Sequence, residues 1–355
     1  SKHINVALYR YGQTAEYMFA SHSWPRFGNA RIQEVMRIQR DTYAHLHNYV
    51  LHLANQGVTI NEIHNLYKLP DSLRKHWAAH SYHGSEEHNS RAVINRYLGY
   101  WDANPANLIP LSPRESAPLY VEMMGGANKI IAKAQQLHDQ GKYREAVEIL
   151  NKLVYAEPDN QAAKDLLADV YEQLGYQQES PSLRNSFLAA AIELRNGMPA
   201  GAPPKSIGPG MIQAMSTELW LNALAISMDP EKVEGMQYVI NLVTPDNHER
   251  FIVEASNGAL SNIKDHQAKE PDLTIIVSRA DLETVMGAQA TWDDLIKAGK
   301  AKLEGDRRGF DRLRAAMVAF TPDFEILPGT KPKAPTTPSK QNPLDIHQPD
   351  NISDE

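Results

Sequence analysis

The chain has 355 residues, 42% hydrophobic and 22% charged, with a formal net charge of −7 and no cysteine. That length exceeds one ordinary core and predicts two or three domains. The acidic balance excludes a protein that works by neutralising nucleic-acid phosphates, the missing cysteines exclude disulfides and thiolate zinc ligands, and no apolar run approaches the roughly 20 residues of a membrane span.

The opening "SKHINVALYRYG" carries neither an initiator Met nor a signal-peptide pattern, so it reads as the continuation of a longer polypeptide. Its spacing predicts a helix, followed by a short strand in "AEYMFAS" and a loop around His22 in "SHSWP". Ten of the fourteen histidines lie between His3 and His88, which places any imidazole chemistry in the first third of the chain. A loop His has two readings, a solvated side chain or a metal ligand, because a neutral imidazole at a strand terminus is a common donor to zinc. His45, His47 and His52 fit a helix surface and read as structural.

From Ile32 to Leu53 apolar residues recur at steps of three and four, which predicts one long amphipathic helix ending at Gly57. "TINEIHNLYKLP" predicts a second helix, with Thr59 and Glu62 in capping-box spacing and Pro70 as its stop. Residues 82–118 are rich in Tyr, Trp, His, Asn and Arg, a composition suited to a cavity wall or a partner surface. Between 127 and 196 paired helices join at Gly141, with Ala146, Pro158, Ala163 and Leu167 placed as in a tetratricopeptide unit. Fewer than two repeats are present, so this part reads as a packing or dimerisation module.

A Gly/Pro-rich linker follows at 201–210. The pattern beyond it predicts a four-stranded β-meander, Met236–Thr244, Arg250–Ser256, Ala259–Lys264 and Leu273–Val277. Two helices, a short strand in "AKLEGD" and a last helix in "RGFDRLRAAMVAF" complete an α+β domain. Trp220, Leu224, Phe251, Ile275, Val285 and Met286 are its expected interior, and the Pro-rich stretch 330–355 is expected to be disordered.

With "MFASHSWPRFGN", "HLANQGVTINEIHN" and "YHGSEEHNSRAVINRYLGYWDANPANL" in this order, the sequence resembles the C-terminal part of the alkylsulfatases of the metallo-β-lactamase superfamily. The resemblance implies three folds in one chain. They are the C-terminal edge of a metallo-β-lactamase-like αββα domain (1–58), a helical tetratricopeptide-like dimerisation and substrate-channel domain (59–200), and a sterol-carrier-protein-like α+β domain (211–329). It implies hydrolysis of alkyl sulfate esters, dodecyl sulfate among them, to alcohol and inorganic sulfate, with two zinc ions in each complete site.

His22 matches the family's last histidine ligand. The main zinc motif, a "THxHxDH" run, is absent from these residues. Because a catalytic zinc takes about three protein ligands, the chain is expected to be incomplete alone, with a preceding segment or a companion chain supplying the rest. The family's acid pair matches His88 and Tyr100, with His83 and Tyr97 as second choices. Arg91 and Arg96 either hold sulfate or pair with Glu86 and Glu87. Leu98, Tyr100, Trp101, Leu108 and Ile109 line an alkyl channel or are ordinary core. A homodimer and a periplasmic or secreted location are implied in the same way. The competing reading is a non-catalytic helical adaptor with a lipid-binding carrier domain.

Overall fold

In the computed structural model, which describes residues 1–198, 208–321 and 324–331, the chain opens with α1 (Lys2–Arg10) and a two-stranded antiparallel ribbon, β1 (Tyr17–Met18) and β2 (Arg26–Phe27). The Asn29 amide closes the turn before the ribbon, donating to the carbonyls of Gly12 at 2.8 Å and Ala15 at 3.0 Å. The long amphipathic helix is α2 (Asn29–Ala54), which buries Ile32, Val35 and Val50. It ends where expected, because Gly57 takes a φ of +90° that side-chain-bearing residues rarely adopt.

The second predicted helix is cut short. Only α3 (Ile63–Leu66) is helical, followed by α4 (Asp71–Arg74). Thr59 and Glu62 do meet, the Thr59 N–H and hydroxyl both donating to Glu62 at 3.1 and 2.8 Å. The turn they close is not propagated, because Tyr67 takes extended backbone and is buried with Leu69 just before Pro70. Next comes α5 (Glu86–Leu98), capped by the Ser85 hydroxyl, which accepts from the His88 N–H at 3.1 Å.

Residues 1–58 pack directly on the helices that follow them. Val50, Ile63, Tyr67 and Ile94 share one apolar cluster that ties α2 to α3 and α5, so residues 1–58 and the helices after them form one unit. The unit continues through α6 (Pro113–Met123), α7 (Ala127–Asp139), α8 (Tyr143–Ala156), α9 (Gln161–Tyr176) and α10 (Pro181–Asn196). Ala134, Ala146 and Ala163 are fully buried between them. Such small side chains let helix axes approach closely, and Leu150, Leu153 and Leu167 fill the remaining space.

The described residues from Glu325 onward pack on the helical unit. The cause is a polar clasp. The Glu193 carboxylate accepts from the backbone N–H of Ile326 at 3.0 Å and of Leu327 at 3.1 Å, and from the Thr330 hydroxyl at 2.6 Å. The buried Lys164 side chain donates its ammonium to the Gly329 carbonyl at 3.2 Å, and Leu327 joins the helical core. Of the expected linker and tail, residues 199–207 and 332–355 lie outside the described residues.

The second unit begins with α11 (Pro209–Ala214) and α12 (Thr217–Ser227). Its strands are β3 (Gln237–Thr244), β4 (Glu249–Ser256), β5 (Ala259–Lys264), β6 (Leu273–Val277) and β7 (Ala301–Gly305). Their order is β5-β4-β3-β6-β7, so the predicted four-stranded meander is corrected. The first three strands are antiparallel neighbours, but β6 crosses over and pairs parallel to β3. The connection between β5 and β6 is too long for a tight hairpin. The buried Asn241 side chain on β3 holds it, donating to the Ala268 carbonyl at 2.9 Å and accepting from the Ala268 N–H at 2.8 Å.

One face of the sheet presents Tyr238, Ile240, Leu242, Phe251, Val253 and Ile275 to a shared core. Leu221, Leu282, Leu295, Phe310 and Leu313 close it from α12, α13 (Arg279–Met286), α14 (Trp292–Lys297) and α15 (Arg307–Ala316). Phe251 and Ile275 are buried as expected, whereas Trp220, Leu224, Val285 and Met286 pack only partly buried against them. Gly309 permits the approach of α15, because a methyl there would overlap the Tyr238 ring. Phe251→Ala is expected to cost about 3–5 kcal/mol, and Leu167→Ala about 2–5 kcal/mol, as read by urea unfolding with separate probes for each unit.

Candidate active-site cleft

The ribbon and the segment before α5 frame a cleft of about 640 Å³ within the helical unit. One lip is the loop between β1 and β2, which carries Phe19, His22 and Trp24. Its base is braced by an edge-on contact between Tyr17 and Phe27, ring centres 5.8 Å apart, and its end by the Arg26 guanidinium 4.2 Å over the Trp77 ring. Ser23 takes a left-handed φ of +69°, which sharpens the turn next to His22. Both Phe19 and Trp24 are 84% exposed, an unusual amount for such large apolar groups.

The facing lip is His80–Ser85, every residue of which lines the cleft. Here the two loops meet. The His22 and His83 rings stack with centres 3.7 Å apart and planes inclined by 33°. Gly84 lets the Asn89 side-chain amide approach closely, since a Cβ there would come within 2.7 Å of it and push it aside. The loop starts from a short 3-10 turn, Trp77–Ala79, whose Ala78 N–H donates to His76 Nδ1 at 3.2 Å. His76 in turn meets Glu34 of α2 at 3.2 Å.

Towards the interior lie Tyr67 and Glu86. The Tyr67 hydroxyl meets His45 Nδ1 at 3.1 Å, burial raises the Tyr67 pKa, and burial lowers that of His45. Both groups are therefore held in their neutral forms. Burial, and next the neighbouring Glu87 charge, raise the pKa of the Glu86 carboxyl. Sequence reasoning missed Tyr67, which sat inside what read as an ordinary capped helix, and took Glu86 only as an ion-pair partner within a stretch suited to a cavity wall.

The structure separates the other expected site residues. Glu86 and Asn89, three apart on α5, face the cleft, whereas His88 points along a different helical direction, is exposed, and does not line it. Tyr100, which follows the helix-ending Gly99, is 77% exposed and also lies outside the lining. His88 and Tyr100 are therefore not assembled with His22, and His83 is. Tyr97 meets His47 Nε2 at 2.8 Å, and the Trp101 indole donates to the Asn104 carbonyl at 3.1 Å. Arg91 does not pair with Glu86 or Glu87. Its guanidinium lies 3.2 Å from each ring nitrogen of His64, whose pKa is lowered first by burial and then by the Arg91 charge. Leu98, Leu108 and Ile109 are exposed and form neither a core nor a wall of this cleft.

Among the described residues no three His, Asp or Glu side chains gather closely enough to hold a metal ion. Two stacked imidazoles do not amount to a zinc site. These residues do not fit zinc unaided.

Comparison with known proteins matches residues 59–197 to the model for alkyl sulfatase dimerisation and residues 205–329 to that for the alkyl sulfatase C-terminal domain. Over these segments the chain belongs to the alkylsulfatase family. A linear primary-alkylsulfatase from Pseudomonas sp is 38% identical, covering 92% of this chain and 48% of that protein. The alkyl/aryl-sulfatase of Saccharomyces cerevisiae is 35% identical over 92% of this chain and 50% of its own length. A solved stereoselective inverting sec-alkylsulfatase from Pseudomonas sp. superposes with a TM-score of 0.86 at 35% identity, over 92% of this chain and 51% of that one. The chain thus spans about half the length of the curated relatives it matches.

Glu86 makes the fold sensitive to pH. Its folded pKa is raised, so the stabilising protonated form is fully present below the ordinary glutamate value of about 4.3. That contribution is lost as pH rises through the raised value. Glu86→Gln is therefore expected to raise the thermal midpoint at pH 7 and to leave it unchanged at pH 3. Partial exposure screens the penalty, so the gain is small, about 1–2 °C, and calorimetry at the two pH values checks it.

Proposed function

We propose that this chain is the C-terminal part of a zinc-dependent alkylsulfatase that converts alkyl sulfate esters, of the dodecyl sulfate type, to alcohol and inorganic sulfate. One observation carries the reading: a chain of this family brings His22 and His83 together on the rim of an apolar-edged cleft. In this reading the first 58 residues are the edge of a metallo-β-lactamase-like domain and α7–α10 pack in the tetratricopeptide manner. The second unit is a sterol-carrier-like module. His22 would be one donor to a two-zinc centre whose remaining ligands come from polypeptide beyond this chain.

The chain's own residues have three tasks. His83 is the group we assign to the ester oxygen, where it hands a proton to the departing alkoxide. Such general acid catalysis is worth about 10²–10⁴ in rate. We prefer it to His88 and Tyr100 because it lies in the cleft and they do not. The apolar lip, with Phe19 and Trp24, receives the alkyl chain, each buried methylene contributing about 0.8 kcal/mol. Tyr67, neutral and tied to His45, contributes an uncharged hydroxyl to the floor beside Glu86.

The reading extends to assembly and location. Ile109, Leu111, Leu119 and Met123 are each more than half exposed in the segment matched to the dimerisation model, and we assign them to a homodimer face. The complete protein is expected in the periplasm or outside the cell.

Three measurements test these assignments. The complete protein should release sulfate from dodecyl sulfate and contain about two zinc ions per protomer by elemental analysis. Failure of both would favour the adaptor and lipid-carrier reading. His83→Ala should lower kcat by about 10²–10⁴ while His88→Ala stays within about threefold; the reverse order would return the role to His88. Leu119→Asp with Met123→Asp should convert dimer to monomer in sedimentation velocity, and an unchanged dimer would move the interface elsewhere.

A further inference from the structure

We propose that Glu179, on the turn between α9 and α10, is a positioning residue that holds the His80–Gly84 loop so that the His83 ring lies on His22. Glu179 does not line the cleft, and it lies far along the chain from the loop it touches.

Both carboxylate oxygens are engaged. Oε1 meets His80 Nδ1 at 2.5 Å, and Oε2 accepts from the Ser81 N–H at 3.3 Å. Two residues further along the loop, the His83 carbonyl accepts from the Ser182 hydroxyl at 3.4 Å, so the first turn of α10 reaches the same loop again. Ser180, between them, is buried at the cap of α10. The start of the loop is held from the other side, where the Gln39 amide of α2 donates to the Ala78 carbonyl.

Those anchors matter because the loop has little else to order it. Tyr82 and His83 are exposed, so their side chains contribute little burial, and fixing each residue costs about 1–2 kcal/mol in backbone entropy. A carboxylate bonded to an imidazole and a backbone N–H is a charge-assisted clamp, stronger than a neutral hydrogen bond. Without it the loop samples positions that carry His83 away from His22, and a misplacement of about 1 Å in a reacting group costs on the order of 10² in rate. The helical module is in this way a working part of the cleft as well as a packing element.

The catalytic half of this inference rests on the hydrolase reading above; the loop-holding half does not. Two measurements on the complete protein separate them. Hydrogen exchange read by mass spectrometry should show the amides of 80–84 exchanging at least about tenfold faster in Glu179→Ala. Glu179→Gln, which keeps an acceptor for Ser81, should stay within about threefold of the parent. Unchanged exchange in Glu179→Ala would overturn the proposal whatever the turnover. With dodecyl sulfate, Glu179→Ala should lower kcat about tenfold or more with KM nearly constant, and should add no further loss in the His83→Ala background. An additive loss would overturn the positioning role, because a residue acting through His83 has nothing to act on once that ring is gone. Should Glu179→Ala not fold, His80→Ala removes the imidazole half of the clamp and leaves only the Ser81 bond; exchange of 80–84 faster than in Glu179→Gln is then expected, and exchange as slow as the parent's would overturn the proposal. A parent protein that releases no sulfate overturns the hydrolase reading and leaves exchange to decide the loop.

Discussion

The cleft depends on one apolar contact, the seating of Val50 of α2 against Ile63, Tyr67 and Ile94. Val50 and Ile63 are fully buried, and Ile94 nearly so. Burial of this size supplies several kcal/mol, enough to fix the direction in which α5 leaves its cap. The β1–β2 loop rides on the start of α2, and the His80–Ser85 loop feeds the start of α5. Locking the two helices together therefore fixes where their attached loops can meet. The His22–His83 stack follows from that geometry, since two exposed imidazoles have no strong intrinsic attraction in water.

In both units charged and polar groups that burial would penalise are met by polar partners. Glu193 and Lys164 carry charges into the helical unit, and both are met by hydrogen bonds from the returning segment Glu325–Lys331. Removing either side of that clasp strands a charge, which costs more than the clasp itself contributes. In the second unit Asn241 plays the comparable part, satisfying the crossover connection from inside the sheet. Such groups decide connectivity. The apolar pattern of β6 would suit either side of the sheet, and the Asn241 amide selects the side next to β3.

Glu86 is the exception, half-buried with its pKa raised. A carboxyl kept towards neutrality in a cleft beside Tyr67 is the kind of local cost that proteins carry where a site needs it. Exposure of Phe19 and Trp24 on the same rim is a second cost of this kind, apolar surface left for something to cover.

Much of this architecture could be read without coordinates. Periodicity placed α2 to within a few residues and every strand of the second unit to within a residue or two, and it marked 127–196 as paired helices, because each is governed by side chains three, four or two positions away. The family blocks around His22 and the "HNSRAVINRYLGYWD" stretch were equally legible. What failed was a statement about distance. The meander required knowing which far strands meet, and the same knowledge decides which imidazole comes to lie beside His22. Helical phase, decided by how α5 packs, turned His88 away and left Glu86 and Asn89 facing the cleft. The sequence by itself determined which segments are helix or strand and which family pattern they follow, since those depend on local, short-range energetics. Only the tertiary structure decided that His83 would be the imidazole on His22, with Glu179 behind it, because contacts between distant segments arise from packing and leave no mark in local spacing.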